Sequence, residues 1–208
     1  MTKMMTDLVA SGYDEGRYHE VYRERQHPTP FEKLFLDEFA EGLLAGSRIL
    51  DVGSGPGIPY DHYLLQKGLV ITGIDLSKKH VDLARSYVPE AQYICGNFLD
   101  HAFAPESFEA VISLYMLFHI PRDEHRETLL KMYNILKRGG VLLVTVGTED
   151  VPYKEKTDFC GSTMAWSYFD AQTYLDIISS LGFTIVLSLN ERDYGSDEKH
   201  MWILARKE

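Results

Sequence analysis

The chain has 208 residues, with 21 Lys and Arg against 31 Asp and Glu, a formal charge of −10 at pH 7, and 45% of its residues are hydrophobic and 25% charged. Such proportions belong to a globular domain long enough to bury a core, and exclude a disordered acidic tail, a collagen-like fibre and a coiled-coil rod. The negative balance gives no electrostatic reason to approach phosphate backbones or anionic lipid, so neither nucleic acid nor membrane is an expected partner.

Residues 1–28 form an arm rich in aromatic and polar residues. Asp7, Asp14 and Glu15 interrupt any apolar signal core, and the two cysteines, Cys95 and Cys160, are too few for a disulfide framework or a four-thiolate zinc site. A reducing cytoplasm is the expected location. Thr29-Pro30-Phe31-Glu32 offers a capping box with proline at the first helical position, and Leu34, Phe35, Phe39 and Leu43 predict a helix ending near Gly46. A strand follows at Arg48 to Val52, then a glycine-rich turn, a helix from about Pro59 to Lys67 stopped by Gly68, and a strand at Val70 to Ile74.

Ser77 is placed to cap a helix to about Tyr87, with strands at Gln92 to Cys95 and Ala110 to Ser113 beyond it. Arg126, Leu129, Leu130, Tyr133 and Leu136 have helical spacing, and Lys137-Arg138-Gly139-Gly140 reads as the helix exit, basic residues facing the negative dipole end. Val141 to Val146 is the next strand. Asp170 caps a helix carrying Tyr174, Leu175, Ile178 and Leu181, and Phe183 to Leu189 and Met201 to Ala205 close the chain as an antiparallel hairpin. Strands alternating with helices predict an α/β fold with a mostly parallel sheet, right-handed crossovers and helices on both faces, whose ligand lies beyond the carboxyl ends of the strands. No linker or repeat divides 1–208, which reads as one domain: the arm, a core at 29–146, a covering segment at 147–169, and the last helix and hairpin at 170–208.

Asp51-Val52-Gly53-Ser54-Gly55-Pro56-Gly57 follows the first strand and opens a helix, a context that makes a glycine pattern informative. Its spacing is G-x-G-x-G, and Ile58 stands where a dinucleotide fingerprint has its third glycine, which counts against NAD. Asp75, at the end of the second strand, is placed to accept hydrogen bonds from both hydroxyls of an adenosine ribose.

With Gly73-Ile-Asp75-Leu-Ser77, Phe108-Glu-Ala-Val-Ile-Ser113 and Leu136-Lys-Arg-Gly-Gly-Val-Leu-Leu-Val144, the segment Gly46 to Val146 resembles the successive motifs of class I S-adenosylmethionine-dependent methyltransferases. The resemblance implies a Rossmann-like, doubly wound sheet of seven strands with the last antiparallel, and S-adenosylmethionine as cofactor with S-adenosylhomocysteine as product. It also implies that Gly53, Gly55 and Gly57 border the methionine part, that Asp75 with Leu76 holds the ribose, and that Asp51 braces the loop. Asn97 stands where the family often has an aspartate toward the adenine amino group, offering a neutral amide oxygen instead. Ser54, Phe98 and Ser113 complete the expected cofactor set.

The methyl donor of this family points past the fourth strand, here toward Ser113 to His119. That stretch has no Asp/Asn-Pro-Pro-aromatic turn, nucleophilic cysteine or carboxylate, so exocyclic amino methylation of bases, carbon-5 pyrimidine methylation and metal-dependent catechol transfer are not expected, and neither is a metal. Displacement from a sulfonium is accelerated mainly by positioning and exclusion of water, a base being needed only for a protonated acceptor. His119 and Tyr115 are the candidates, His119 alternatively binding backbone, and His125 is expected at the surface.

Two aromatic segments are expected to cover the acceptor as lid or core anchors: Tyr13, Tyr18, His19, Tyr22 and Arg25 in the arm, and Tyr153, Phe159, Met164, Trp166, Tyr168 and Phe169 after the fifth strand. Tyr18, Tyr115, Trp166 and Tyr168 are the candidate acceptor contacts. The reading is methyl transfer to a small-molecule acceptor, with a protein or RNA methyltransferase and a non-catalytic S-adenosylmethionine-binding module as alternatives. The acceptor's identity and the oligomeric state stay open.

Overall fold

Thr29 accepts a hydrogen bond from the Glu32 amide while the Glu32 carboxylate accepts one from the Thr29 amide, so the capping box forms and starts a helix at Pro30. In a computed structural model, residues 2–18, 20, 25–195 and 199–208 are described; His19 and Tyr22 of the arm lie outside them. In chain order the helices are α1 (Thr2–Glu15), α2 (Pro30–Ala40), α3 (Tyr60–Leu65), α4 (Lys78–Tyr87), α5 (His125–Ile135) and α6 (Ala171–Ser180). The strands are β1 (Arg48–Val52), β2 (Val70–Asp75), β3 (Gln92–Cys95), β4 (Phe108–Ser113), β5 (Leu136–Gly147), β6 (Val151–Phe159), β7 (Ser162–Tyr168), β8 (Phe183–Asn190) and β9 (His200–Lys207).

Seven strands make one sheet in the order β3-β2-β1-β4-β5-β9-β8; its first five strands run parallel, while β9 pairs antiparallel with both β5 and β8. Strand order reverses between β1 and β4, which opens a crevice beyond their carboxyl ends. Side chains alternate between two cores. Leu50 and Val52 point to the side packed by Leu129, Met132 and Ile178 of α5 and α6, while Ile49 points to the side packed by Phe35, Leu36 and Phe39 of α2.

Several elements differ from expectation for identifiable reasons. Helix α2 stops at Ala40, where Glu41 turns extended and Gly42 takes a φ of 80°, and Leu36 rather than the exposed Leu34 faces the core. The basic stretch after α5 is a bulge within β5: Phe108 pairs with Leu136 and Ala110 already with Val141, so the residues between loop out, with Gly139 left-handed. Lys137 therefore pairs with Glu109, and Glu109 also accepts from the Arg48 amide, 2.7 Å, tying β1 to β4.

His125 is buried rather than surface-exposed: its Nδ1 meets the Tyr174 hydroxyl at 2.7 Å and its Nε2 the Ile120 carbonyl at 3.1 Å. Both covering segments are regular: the arm contains α1, and the stretch before α6 forms the separate hairpin β6-β7. Met5 and Val9 of α1 pack on Met164 and Ala165 of β7, so these two elements form one layer over the carboxyl end of the sheet.

Candidate active site

The glycine loop leaves β1 under tight steric control. At Gly53, φ 78°, a Cβ would lie 2.4 Å from the Met116 side chain, and at Gly57, φ 74°, 2.3 Å from the Tyr93 hydroxyl. Gly55, φ 53°, meets nothing closer than His80 at 3.9 Å, so its backbone lies open to the crevice. The Asp75 carboxylate fixes this loop: one oxygen accepts from the Gly55 amide and the other from the Ser77 amide, each at 2.8 Å. Each oxygen keeps a second lone pair for a ligand.

Beneath the loop lies a buried acidic cluster. Asp51 and Asp61 face each other, and the Tyr93 hydroxyl donates to Asp61 at 2.7 Å. Burial pushes the Asp61 carboxyl up to about 6, and burial together with the neighbouring Asp61 raises Asp51 well above the carboxylate range. The pair is thus stable when it shares a proton. Asp61 was not singled out from sequence, since its partner lies across the loop.

The crevice is lined by Asp51, Gly53, Ser54, Gly55, Asp75 and Leu76, and also by Asn97 and Phe98. Ser113 stands behind it, its hydroxyl donating to the Val52 carbonyl at 2.8 Å, and Gly57 lies below under Tyr93. The Asn97 side-chain oxygen caps its own turn by accepting from the Leu99 amide at 2.9 Å, which leaves the amide nitrogen as its donor. Lys131 holds the same loop through the carbonyls of Phe98, Leu99 and His101 at 2.6–2.8 Å.

Helix α1 roofs the crevice with Thr6, Val9, Ala10 and Tyr13 and narrows it to about 130 Å³. It is latched at one end. The Ser77 hydroxyl, which caps α4, donates to Asp14 at 2.6 Å, the Lys79 amide donates to the same oxygen at 3.2 Å, and Lys79 Nζ reaches the Gly16 carbonyl at 3.0 Å. A carboxylate at the N-terminus of α4 is electrostatically favoured.

A second cavity of about 660 Å³ lies beside the crevice, under the β6-β7 hairpin. Tyr18, Tyr115, Trp166 and Tyr168 all line it, and Tyr18, Tyr115 and His119 line both spaces. Tyr115 adopts a left-handed φ of 57°, rare for a non-glycine residue, and is held there by its amide donating to the Thr145 hydroxyl. Its hydroxyl lies 3.2 and 3.3 Å from the two Glu191 oxygens and 3.5 Å from Glu32. Burial, with Glu191 and Glu32 adding to it, raises Tyr115 well above the phenol range, so it is a donor and not a base.

His119 is buried among Tyr13, Phe118 and Trp166, with Nδ1 3.0 Å from the Ala165 carbonyl, and burial lowers it to about 4. It is neutral, with Nδ1–H donating and Nε2 as acceptor. Glu32, Glu191 and His200 also belong to the cavity wall and were not found from sequence. Glu32 is fully engaged, accepting from Thr29, Arg25 and the Tyr60 hydroxyl.

Residues 50–144 match the methyltransferase domain family. That match supports a place for the chain in the class I S-adenosylmethionine-dependent methyltransferase superfamily. Among its curated relatives in that superfamily, it is 31% identical over 157 residues to a tRNA (carboxymethyluridine(34)-5-O)-methyltransferase of Xenopus tropicalis, covering 72% of this chain and 24% of the relative. It is 28% identical over 144 residues to the ubiquinone biosynthesis O-methyltransferase of Vibrio atlanticus, covering 66% and 57% respectively. The chain thus spans about a quarter of the first of these relatives and somewhat over half of the second. Its fold is shared with the magnesium protoporphyrin IX methyltransferase of Synechocystis, with a TM-score of 0.73, 15% identity, and coverage of 98% of this chain and 97% of that one. The 1,6-didemethyltoxoflavin-N1-methyltransferase of Burkholderia thailandensis gives a TM-score of 0.70 at 18% identity, covering 98% and 87%.

Proposed function

We propose that this chain binds S-adenosylmethionine in the crevice beside the glycine loop and methylates a small-molecule acceptor held in the second cavity. The observation that carries the reading is the wall of Tyr18, Tyr115 and His119 common to both spaces, since donor and acceptor have to meet across one boundary. The fit of the cofactor is supported by the open backbone at Gly55, by the Ser54 hydroxyl, buried in the crevice wall with no hydrogen-bond partner among the described residues, and by the carboxylate of Asp75. When bound, the cofactor supplies a methyl group on a sulfonium.

The chain's own residues do the rest. Gly53, Gly55 and Asp75 orient the ligand, with Leu76, Asn97 and Phe98 at its nucleoside end, while α1 and the hairpin exclude water. His119, neutral throughout the physiological range, positions the hairpin through Ala165 rather than carrying charge. A cavity of this volume has the size of a small-molecule site, and the formal charge of −10 disfavours an RNA acceptor.

Two outcomes are expected. Asp14→Ala, which cuts the latch between α1 and α4, should speed release of S-adenosylhomocysteine about tenfold or more in stopped-flow displacement, as loss of hydrogen bonds to a charged group worth about 1.5–3 kcal/mol implies. An unchanged release rate would take α1 off the ligand's path. Trp166→Ala and Tyr168→Ala should leave S-adenosylhomocysteine binding within about threefold while lowering turnover about tenfold or more, because acceptor placement is lost. A fall in melting temperature with proportionate loss of cofactor binding would make these side chains structural anchors instead. The decisive assay is accumulation of S-adenosylhomocysteine that depends on an added acceptor; binding without turnover across a broad acceptor panel would favour a non-catalytic module.

A further inference from the structure

The chemistry of the second cavity narrows the acceptor. Its walls are aromatic, with Tyr18 and Phe159 at 5.4 Å and Phe159 and Trp166 at 5.1 Å. Its charges are unevenly satisfied. Glu32 is buried against Arg25, and Lys199 pairs with Glu149 at 2.6 Å, so those four cancel. What remains is divided between two places.

At the rim stand Lys154 and Lys156 of β6, opposite Trp166 and Met164 in the hairpin register and hence on the same face as Trp166. They make no ion pair among the described residues, and Lys156 lies 5.9 Å from the Phe159 ring. In the wall by Tyr115 stands Glu191, its carboxylate 3.5 Å from His200 Nδ1, with the His200 ring stacked 4.9 Å from Phe118. The lining thus has a cationic rim at one end and a hydrogen-bond acceptor beside the donor crevice at the other, in a chain that is strongly acidic overall.

We infer that the acceptor is a planar aromatic acid, its anionic group at Lys154 and Lys156 and its protic oxygen or nitrogen turned inward to Glu191 and Tyr115. The inference rests on the methyl-transfer reading for the role of the site, but the recognition itself is a binding property. The aromatic walls stack on a flat ring. Two ammonium groups outside any ion pair among the described residues repel a cationic acceptor and attract an anion, while an O–H or N–H donates to the Glu191 carboxylate. Glu191 is thereby a positioning residue for the nucleophile.

The test is calorimetric titration of the full chain with 4-hydroxybenzoate, its neutral amide 4-hydroxybenzamide, and 4-hydroxybenzylamine. The acid is expected to bind about tenfold tighter than the amide, as two partly exposed ion pairs of up to about 1 kcal/mol each allow, and the amine weakest. The preference should collapse in K154Q/K156Q and shrink in 0.5 M salt. Glu191→Gln should weaken acid and amide alike, since it alters the end that they share. Equal binding of acid and amide, preference for the amine, or no saturable binding of any probe overturns the inference. S-Adenosylhomocysteine is titrated separately: if it binds while acid and amide are not distinguished, this inference fails and the methyl-transfer reading stands, whereas discrimination without S-adenosylhomocysteine binding fails that reading and leaves the anion site.

Discussion

Asp75→Ala is expected to weaken S-adenosylhomocysteine binding about a hundredfold or more by calorimetry. Hydrogen bonds to an ionised acceptor contribute about 1.5–3 kcal/mol each, and two at the lower figure already amount to about 3 kcal/mol, or two decades in the dissociation constant. The two that Asp75 demonstrably makes, to the Gly55 and Ser77 amides, hold the loop and the start of α4 in register, so the substitution loosens the site even before any contact with a ribose is counted. Asp75→Asn separates the contributions: its amide oxygen still accepts one backbone N–H, while its amide nitrogen opposes the other, so an intermediate loss is expected. Unchanged affinity in the alanine variant would remove Asp75 from the ligand site.

What could be read from the sequence was whatever depends on neighbours along the chain. Thr29 with Glu32, Ser77 with His80 and Asp170 with Thr173 announce helix starts through contacts of short range, and each helix begins where those residues direct. The strands from Arg48 to Ser113 were visible because parallel strands buried on both faces are short apolar runs. Asp75 and the glycine loop were legible for the same reason, lying within one strand-turn-helix unit. The β6-β7 hairpin was not, because Val151 to Phe159 is mostly exposed and polar and has no apolar alternation to betray a strand.

Residues whose function depends on tertiary partners were also missed. Glu32 was read as a capping residue, and it is one, but the same carboxylate also lines the second cavity and accepts from Tyr60, which lines the crevice beside the glycine loop. The end of β4 has no carboxylate of its own, yet Glu191 arrives there from beyond β8. His125 shares the buried face of α5 with Leu129 and Met132, and the hydroxyl that meets its ring, that of Tyr174, arrives from α6. For Glu32 and Glu191 the missing signal was a contact between segments far apart in sequence, which periodicity cannot carry, whereas the spacing of His125 with Leu129 and Met132 already placed it on the buried face.

The buried acids below the glycine loop should make stability depend on pH in a way that one substitution exposes. Asp61, raised to about 6 by burial, holds a proton in the folded state that the unfolded chain has released above about pH 4. Stability from this group is therefore full below about pH 4 and lost as pH rises through 6, on the order of 2–3 kcal/mol. His119 and His125 act in the opposite sense: burial lowers each to about 4, so the unfolded chain binds protons that the folded one refuses, and stability falls as pH drops from 6.5 toward 4. The two effects oppose each other across the same window, and the wild-type curve is flatter than the histidines alone would make it.

Asp61→Asn removes the acidic contribution while its amide oxygen still accepts from Tyr93. At pH 7.5 the variant should be more stable than wild type by on the order of 2–3 kcal/mol in urea unfolding, the two curves should converge toward pH 4, and the variant should lose stability more steeply on acidification because the histidines are no longer opposed. Parallel curves for the two proteins would mean that burial does not raise the Asp61 carboxyl above its ordinary range in the folded state.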